Sequence, residues 1–187
     1  GVEPSDVYAA GTTAGSLEMK TASDSINLNA GQSFDVTFSV NAETSGFGGY
    51  LTYDNSVFTS VTVVVDGGTT SGKTDNNGEW KASYNGYTHF LSVDYYKKDA
   101  AGNTTAQIAD PVKVSGSSIA TLKFTSAKPV IKTDITFRPS YLRTNGSDVE
   151  LKTQKLTLTN SQAKTVTLSL GIVTVSYTHL TLPTTER

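Results

Sequence analysis

In QSFDVTFSVNA the side chains alternate: Phe34, Val36, Phe38 and Val40 fall on one side of an extended backbone, with Ser33, Asp35, Thr37 and Ser39 on the other. A period of two marks strands half buried against a core. The same period recurs at GYLTY, TSVTVVV, EWKASYN, THFLSVDYY, SIATLKFTS, TDITFRPS and VELKTQKLTLTN, and an earlier extended segment, SLEMKTASDSINLNAG, closes on the turn Asn29-Ala30-Gly31. Turn-rich pieces such as DGGTTSGKTDNNGE and RTNGSD separate them,. Only VYAA and DAAGNTTAQIAD invite a helical reading, and neither sustains a 3.6-residue period,. About nine short strands without a strong helix predict an all-β fold, a nine-stranded two-sheet sandwich with jelly-roll topology. The missing crossover helices exclude a parallel α/β fold. Phe34, Val36, Phe38, Leu51, Tyr53, Leu91, Val93, Leu122, Phe124, Ile135 and Phe137 are the expected core. Each large apolar side chain buried there contributes about 1.5–3 kcal/mol.

Composition narrows the function classes. The chain has 187 residues, about one domain, and its Gly, Ser, Thr and Asn content with 17% charged residues suits turns and half-exposed strands,. A net charge of −2 provides no basic footprint for nucleic acid and no polybasic patch for an anionic membrane,. No apolar run approaches the roughly 20 residues needed to cross a bilayer. The absence of Cys excludes a disulfide framework and a thiolate metal site, and a bacterial surface protein fits more readily than a small secreted animal domain,. The first residue is not Met, so the chain reads as an internal piece of something longer, and the lack of a signal segment carries no information about secretion,. Residues 1–16 are small, polar and aperiodic and read as a linker, residues 17–170 as the sandwich, and residues 171–187 as a tail outside the domain,. From Val175 the tail, VSYTHLTLPTTER, resembles a translated read-through of a sequencing-library adapter, so the native sequence is expected to be truncated near Thr174 and His179 carries no functional weight.

The stretch GFGGYLTYDNSVFTSV holds the most specific signal. Leu51 and Tyr53 alternate inward, Asp54-Asn55-Ser56 stops the strand as a side-chain-capped turn, and Val57 and Phe58 return to the core,. LTYDNSVF followed by TSVTVV resembles the apolar-x-Tyr-Asp-x-x-apolar element of bacterial cohesin domains. INLNAGQSFDVTFSV is similar to their opening segment, SGSSIATLKFTSAK to a late strand, and TDITFRPSYLRTNGSDVEL to their closing pair, so the resemblance spans roughly Leu17 to Asn160 in the family's order.

The resemblance implies a non-catalytic jelly-roll module of a cellulosome-type scaffold, extracellular or on a bacterial cell surface. Its partner would be a dockerin-bearing protein that carries calcium in its own loops, so the module itself would need no cofactor. In the family one flat sheet face meets the dockerin. Mapped by alternation, the outward side chains here are Tyr50, Thr52, Lys81, Ser83, Ser92, Asp94, Asp134, Thr136 and Arg138. Tyr50 and Arg138 are the expected anchors. Family members often carry polar side chains where this chain has Gly46 and Gly48, so two hydrogen-bonding handles are missing.

Two other readings compete. Trp80, Tyr84, Tyr87 and Tyr96 lie in an aromatic-rich hairpin, and exposed coplanar aromatics would make a carbohydrate-binding module that stacks on polysaccharide, although alternation puts Trp80, Ala82 and Tyr84 on one face, which a sandwich commonly turns inward,. The Thr- and Ser-rich flanks would also suit a stalk domain of an adhesin. Asp75-Asn76-Asn77-Gly78-Glu79 lacks the ligand spacing of a calcium loop and reads as a hairpin turn,. His89, without Cys or a second native His, builds no zinc site,. No nucleophile elbow, zinc-protease helix or phosphate loop occurs, so no catalytic residue is assigned,.

Overall fold

The strands appear in the order β1 Val7–Tyr8, β2 Ser16–Lys20, β3 Ser25–Ile26, β4 Ser33–Thr52, β5 Phe58–Val65, β6 Gly78–Tyr84, β7 Phe90–Lys98, β8 Thr104–Ile108, β9 Val112–Ser126, β10 Lys132–Thr144, β11 Glu150–Leu151, β12 Gln154–Asn160, β13 Ala163–Thr167 and β14 Thr174–Thr178. This computed structural model describes residues 7–8, 16–66, 78–145, 150–167 and 174–178, and among them there is no helix.

Strand β4 organises both layers. The sequence pattern reads as two strands here, QSFDVTFSVNA and GYLTY, but the backbone runs unbroken for 20 residues. Its first half pairs with β2 and β9, and β9 continues to β5. Its second half pairs with β10 and β7, which continue to β12 and β6. Between the halves the inward side switches from the even positions Val36, Phe38 and Val40 to the odd positions Phe47 and Leu51. The switch falls at Gly46, whose φ of 148° is accessible to glycine and rarely to other residues,. The Thr44 hydroxyl fixes the bend by accepting the Gly46 N–H at 3.0 Å.

With one strand crossing from layer to layer, the curled sheet closes over a single core. Phe38 of the first layer meets Phe137 of the second edge-on at 4.9 Å and Phe47 at 5.9 Å. At the other end Phe34 stacks on Phe124 at 5.5 Å, and Phe58 packs edge-on against both. Such pairs add about 0.5–1.5 kcal/mol beyond their buried area. Every predicted core residue faces inward, with Phe34 and Tyr53 half-buried rather than fully covered. Phe47, Tyr95, Ile119 and Leu158 are fully buried too.

A polar joint closes one corner. Asn160 accepts the Leu28 N–H at 3.1 Å and the Gln162 N–H at 3.0 Å, and its amide donates to Asn29 Oδ1 at 3.0 Å and the Val130 carbonyl at 2.9 Å. One buried side chain thus satisfies groups from three segments.

The segment DAAGNTTAQIAD forms β8, which pairs with the end of β7. Within the flanking segments, β1 pairs with β11 and β14 pairs with β13. The loop residues 75–77, His179 and most of both flanks lie outside the described residues.

Candidate functional site

The outward side of the second layer is read from the pairing registers. Tyr50 lies between Arg138 of β10 and Phe90 of β7; Gly48 lies between Tyr141 and Ser92; Gly46 lies between Arg143 and Asp94. One strand further, Ser83 faces Ser92 and Lys81 faces Asp94.

Six of the predicted partner-facing residues, Tyr50, Thr52, Lys81, Ser83, Asp134 and Arg138, are exposed, while Ser92 and Thr136 are half-buried. Tyr50 is 38% exposed, held edge-on by Phe90 at 4.8 Å and capped by the Arg138 guanidinium 4.9 Å from its ring centre. A cation over a tyrosine face at an exposed site contributes about 0.5–1 kcal/mol and holds both side chains in place.

Asp94 requires a correction. Alternation makes it a free outward handle, yet it is only 6% exposed. It forms an ion pair with Arg143, and the Tyr141 hydroxyl donates to both carboxylate oxygens at 3.0 Å. The Arg143 guanidinium in turn lies 4.3 Å from the Tyr141 ring centre. Burial pushes the Asp94 carboxyl above the usual carboxylate range, against the opposing pull of Arg143 and Tyr141,. Burial and the neighbouring Asp94 charge likewise raise the Tyr141 phenol.

Tyr141 and Arg143 are not among the predicted face residues, because the pairing of β10 with β4 slips between Pro139 and Tyr141. The extra residue, Ser140, moves odd positions to the outward side from there on. The sequence does carry a signal, since proline inside a strand pattern is confined to edges and bulges,. The same cluster accounts for the two glycines. A Cβ on Gly48 would collide with the Tyr141 ring, and one on Gly46 with the Asp94 carboxylate and the Val93 carbonyl. The polar handles expected there are replaced by a Tyr–Asp–Arg cluster lying flat over bare backbone.

The carbohydrate constellation also needs correcting. Trp80 is 5% exposed and packs on Tyr95 at 4.9 Å, because its strand position turns it inward opposite that residue. The half-buried Tyr84 hydroxyl is bonded to that of Tyr53 at 2.7 Å, and Tyr96 is half-buried. Tyr87 alone of the four stands fully out, 98% exposed at the tip of the β6–β7 hairpin. His89, with φ 61°, stacks on the Tyr53 ring at 4.7 Å. Among the described residues no group of three or more His, Cys, Asp or Glu is placed to hold a metal ion.

No protein-family model matches the chain, and no curated protein matches it in sequence. Solved structures do. The chain is similar to the cohesin of a type I cohesin–dockerin complex from Clostridium thermocellum, with a TM-score of 0.51, 10% identity, and coverage of 81% of this chain and 97% of that one. It is also similar to the cohesin module of a family 33 glycoside hydrolase from Clostridium perfringens, at TM-score 0.47 and 11% identity over 80% and 98% of the two chains. A non-cellulosomal cohesin from the archaeon Archaeoglobus fulgidus matches at TM-score 0.43 and 15% identity over 79% and 91%. The agreement with the Clostridium thermocellum module over nearly its whole length shows that this chain has the cohesin fold.

Proposed function

We propose that the chain is a non-catalytic adhesion module that binds a dockerin-type partner through the outward side of β10, β4, β7 and β6. The observation that carries this reading is the Arg138–Tyr50–Phe90 row, an exposed aromatic flanked by a fixed guanidinium at the middle of the second layer. Aromatic and Arg anchors of this kind dominate protein interfaces, where a standard contact covers about 800 Å² per partner. Around them Thr52, Ser83, Asp134 and Thr136 supply a polar rim. The module is assigned to an extracellular or surface-attached scaffold, and calcium to the loops of the partner.

The test is surface plasmon resonance of the immobilised chain against a panel of dockerin modules, calcium-loaded and chelated. Binding of a calcium-loaded dockerin that is lost on chelation and in Arg138→Glu, but kept in Lys123→Glu on the opposite layer, supports the proposal. Binding insensitive to Arg138→Glu, or retention on insoluble polysaccharide in place of any dockerin, contradicts it.

A further inference from the structure

Beside the Tyr50 row the same face carries an open groove of about 510 Å³, lined by Lys81 and Ser83 of β6, Ser92 and Tyr96 of β7, and Thr104 and Thr105 of β8. The sequence pattern gives no hint of it, because β8 comes from a segment with neither strand nor helix period.

The β8 side of the groove is tied down along its length. Asp99 caps the preceding turn by accepting the N–H groups of Ala101 at 3.0 Å and Asn103 at 2.9 Å. The Thr105 hydroxyl donates to the Lys97 carbonyl at 2.9 Å, the Ala109 N–H to the Tyr95 carbonyl at 2.8 Å, and the Thr104 hydroxyl to the Glu79 carboxylate. A groove whose side is already fixed loses little conformational freedom when something enters it.

Its chemistry is one ammonium among hydroxyls. Lys81 is exposed and, among the described residues, has no salt bridge. Two carboxylates are its neighbours in register and along the strand. Asp94, its cross-strand neighbour, is committed to Arg143 and Tyr141, and Glu79, two residues along β6, accepts from Thr104. Lys81 thus lines the groove with no carboxylate bound to it among the described residues, while the Ser83, Ser92 and Tyr96 hydroxyls offer further donors. We infer that this groove receives a carboxylate side chain, Asp or Glu, projecting from the partner protein, with Lys81 as its counter-ion and the hydroxyls completing its hydrogen bonds. A charge-assisted bond of this kind is about twice as strong as a neutral one, and it fixes the orientation of a partner already anchored at Tyr50. The inference rests on the adhesion reading above and names the chemistry of one part of that face.

The test uses two synthetic helical peptides that differ only in one central residue, Glu or Gln, titrated separately into isotope-labelled full chain while amide resonances are followed. Saturable shifts at Lys81, Ser83, Ser92 and Thr105 with the Glu peptide are expected, weakened about tenfold with the Gln peptide and in Lys81→Met. Equal shifts at these residues with both peptides, or none with the Glu peptide, overturn the groove assignment. So does cellohexaose saturating the same resonances. Shifts at Tyr50 and Arg138 report the rest of the face independently, so a silent groove beside a responsive Tyr50 rejects the inference and leaves the adhesion reading standing.

Discussion

Substituting Gly48 with Ala tests whether the Tyr141 cluster is the reason for a bare backbone on the proposed partner face. Gly48 lies within a strand and outside the left-handed region, so alanine fits its backbone. On conformational grounds alone Gly→Ala stabilises a strand interior by roughly 0.5–1 kcal/mol. Here the three atoms nearest the new Cβ all belong to the Tyr141 phenol, two of the ring and its hydroxyl oxygen, in overlap with it. Displacing a packed ring costs about 1–3 kcal/mol, which leaves a net loss of about 0–2.5 kcal/mol, centred on about 1 kcal/mol. With a urea m-value of about 1–3 kcal/mol/M, the midpoint falls by on the order of 0.5 M. The assay is equilibrium urea unfolding followed by the fluorescence of Trp80, the chain's one tryptophan. In a Tyr141→Ala background the sign reverses, because the colliding ring is gone. A Gly48→Ala variant that raises the midpoint in the otherwise native chain, or that costs the same in both backgrounds, refutes the reasoning.

Three further outcomes are expected. Trp80→Ala, made inside the core, costs about 3–5 kcal/mol, and Trp80 emission in the native chain is blue-shifted and indifferent to added cellulose oligomers; a red-shifted spectrum that moves with sugar contradicts the burial. Asn160→Ala strands the Leu28 N–H, the Asn29 amide oxygen and the Val130 carbonyl, so thermal unfolding shows a loss of about 2–4 kcal/mol, and a change near zero shows that water replaces the joint. The folded chain holds the Asp94 proton more tightly than the unfolded chain does. Asp94 therefore takes stability away as pH rises from the ordinary carboxylate value of 3.8 through the raised folded value,. Urea midpoints across that window drop more steeply for the native chain than for Asp94→Asn, and the reverse slope contradicts the sign.

Alternation alone identified the core side of nearly every strand, because burial on one side of a pleat imposes a period of two that Phe34 to Val40 and Leu122 to Phe124 display without ambiguity. It failed where the backbone departs from that period. Gly46 lets one strand turn its other side inward, so two predicted strands are one, and Ser140 inserts a bulge that brings Tyr141 and Arg143 onto the face. Asp94 was placed on the correct side, but its burial depends on those two residues from a distant strand, and no local pattern encodes it. Trp80 shows the opposite case: alternation turned it inward, and the carbohydrate reading arose from its residue type. Strand β8 left no periodic trace because its short segment is held by turn capping and by threonine hydroxyls rather than by an apolar side.

Photo-crosslinking gives the most direct measurement of which surface a partner touches. A benzoylphenylalanine is placed in turn at Thr52 and Ser83 on the β10–β4–β7–β6 side, and at Thr62 and Lys123 on the opposite layer, all four exposed. Illumination with a bound calcium-loaded dockerin is expected to yield adducts from the first pair and none from the second. Adducts from Thr62 or Lys123, with Thr52 and Ser83 silent, contradict the account.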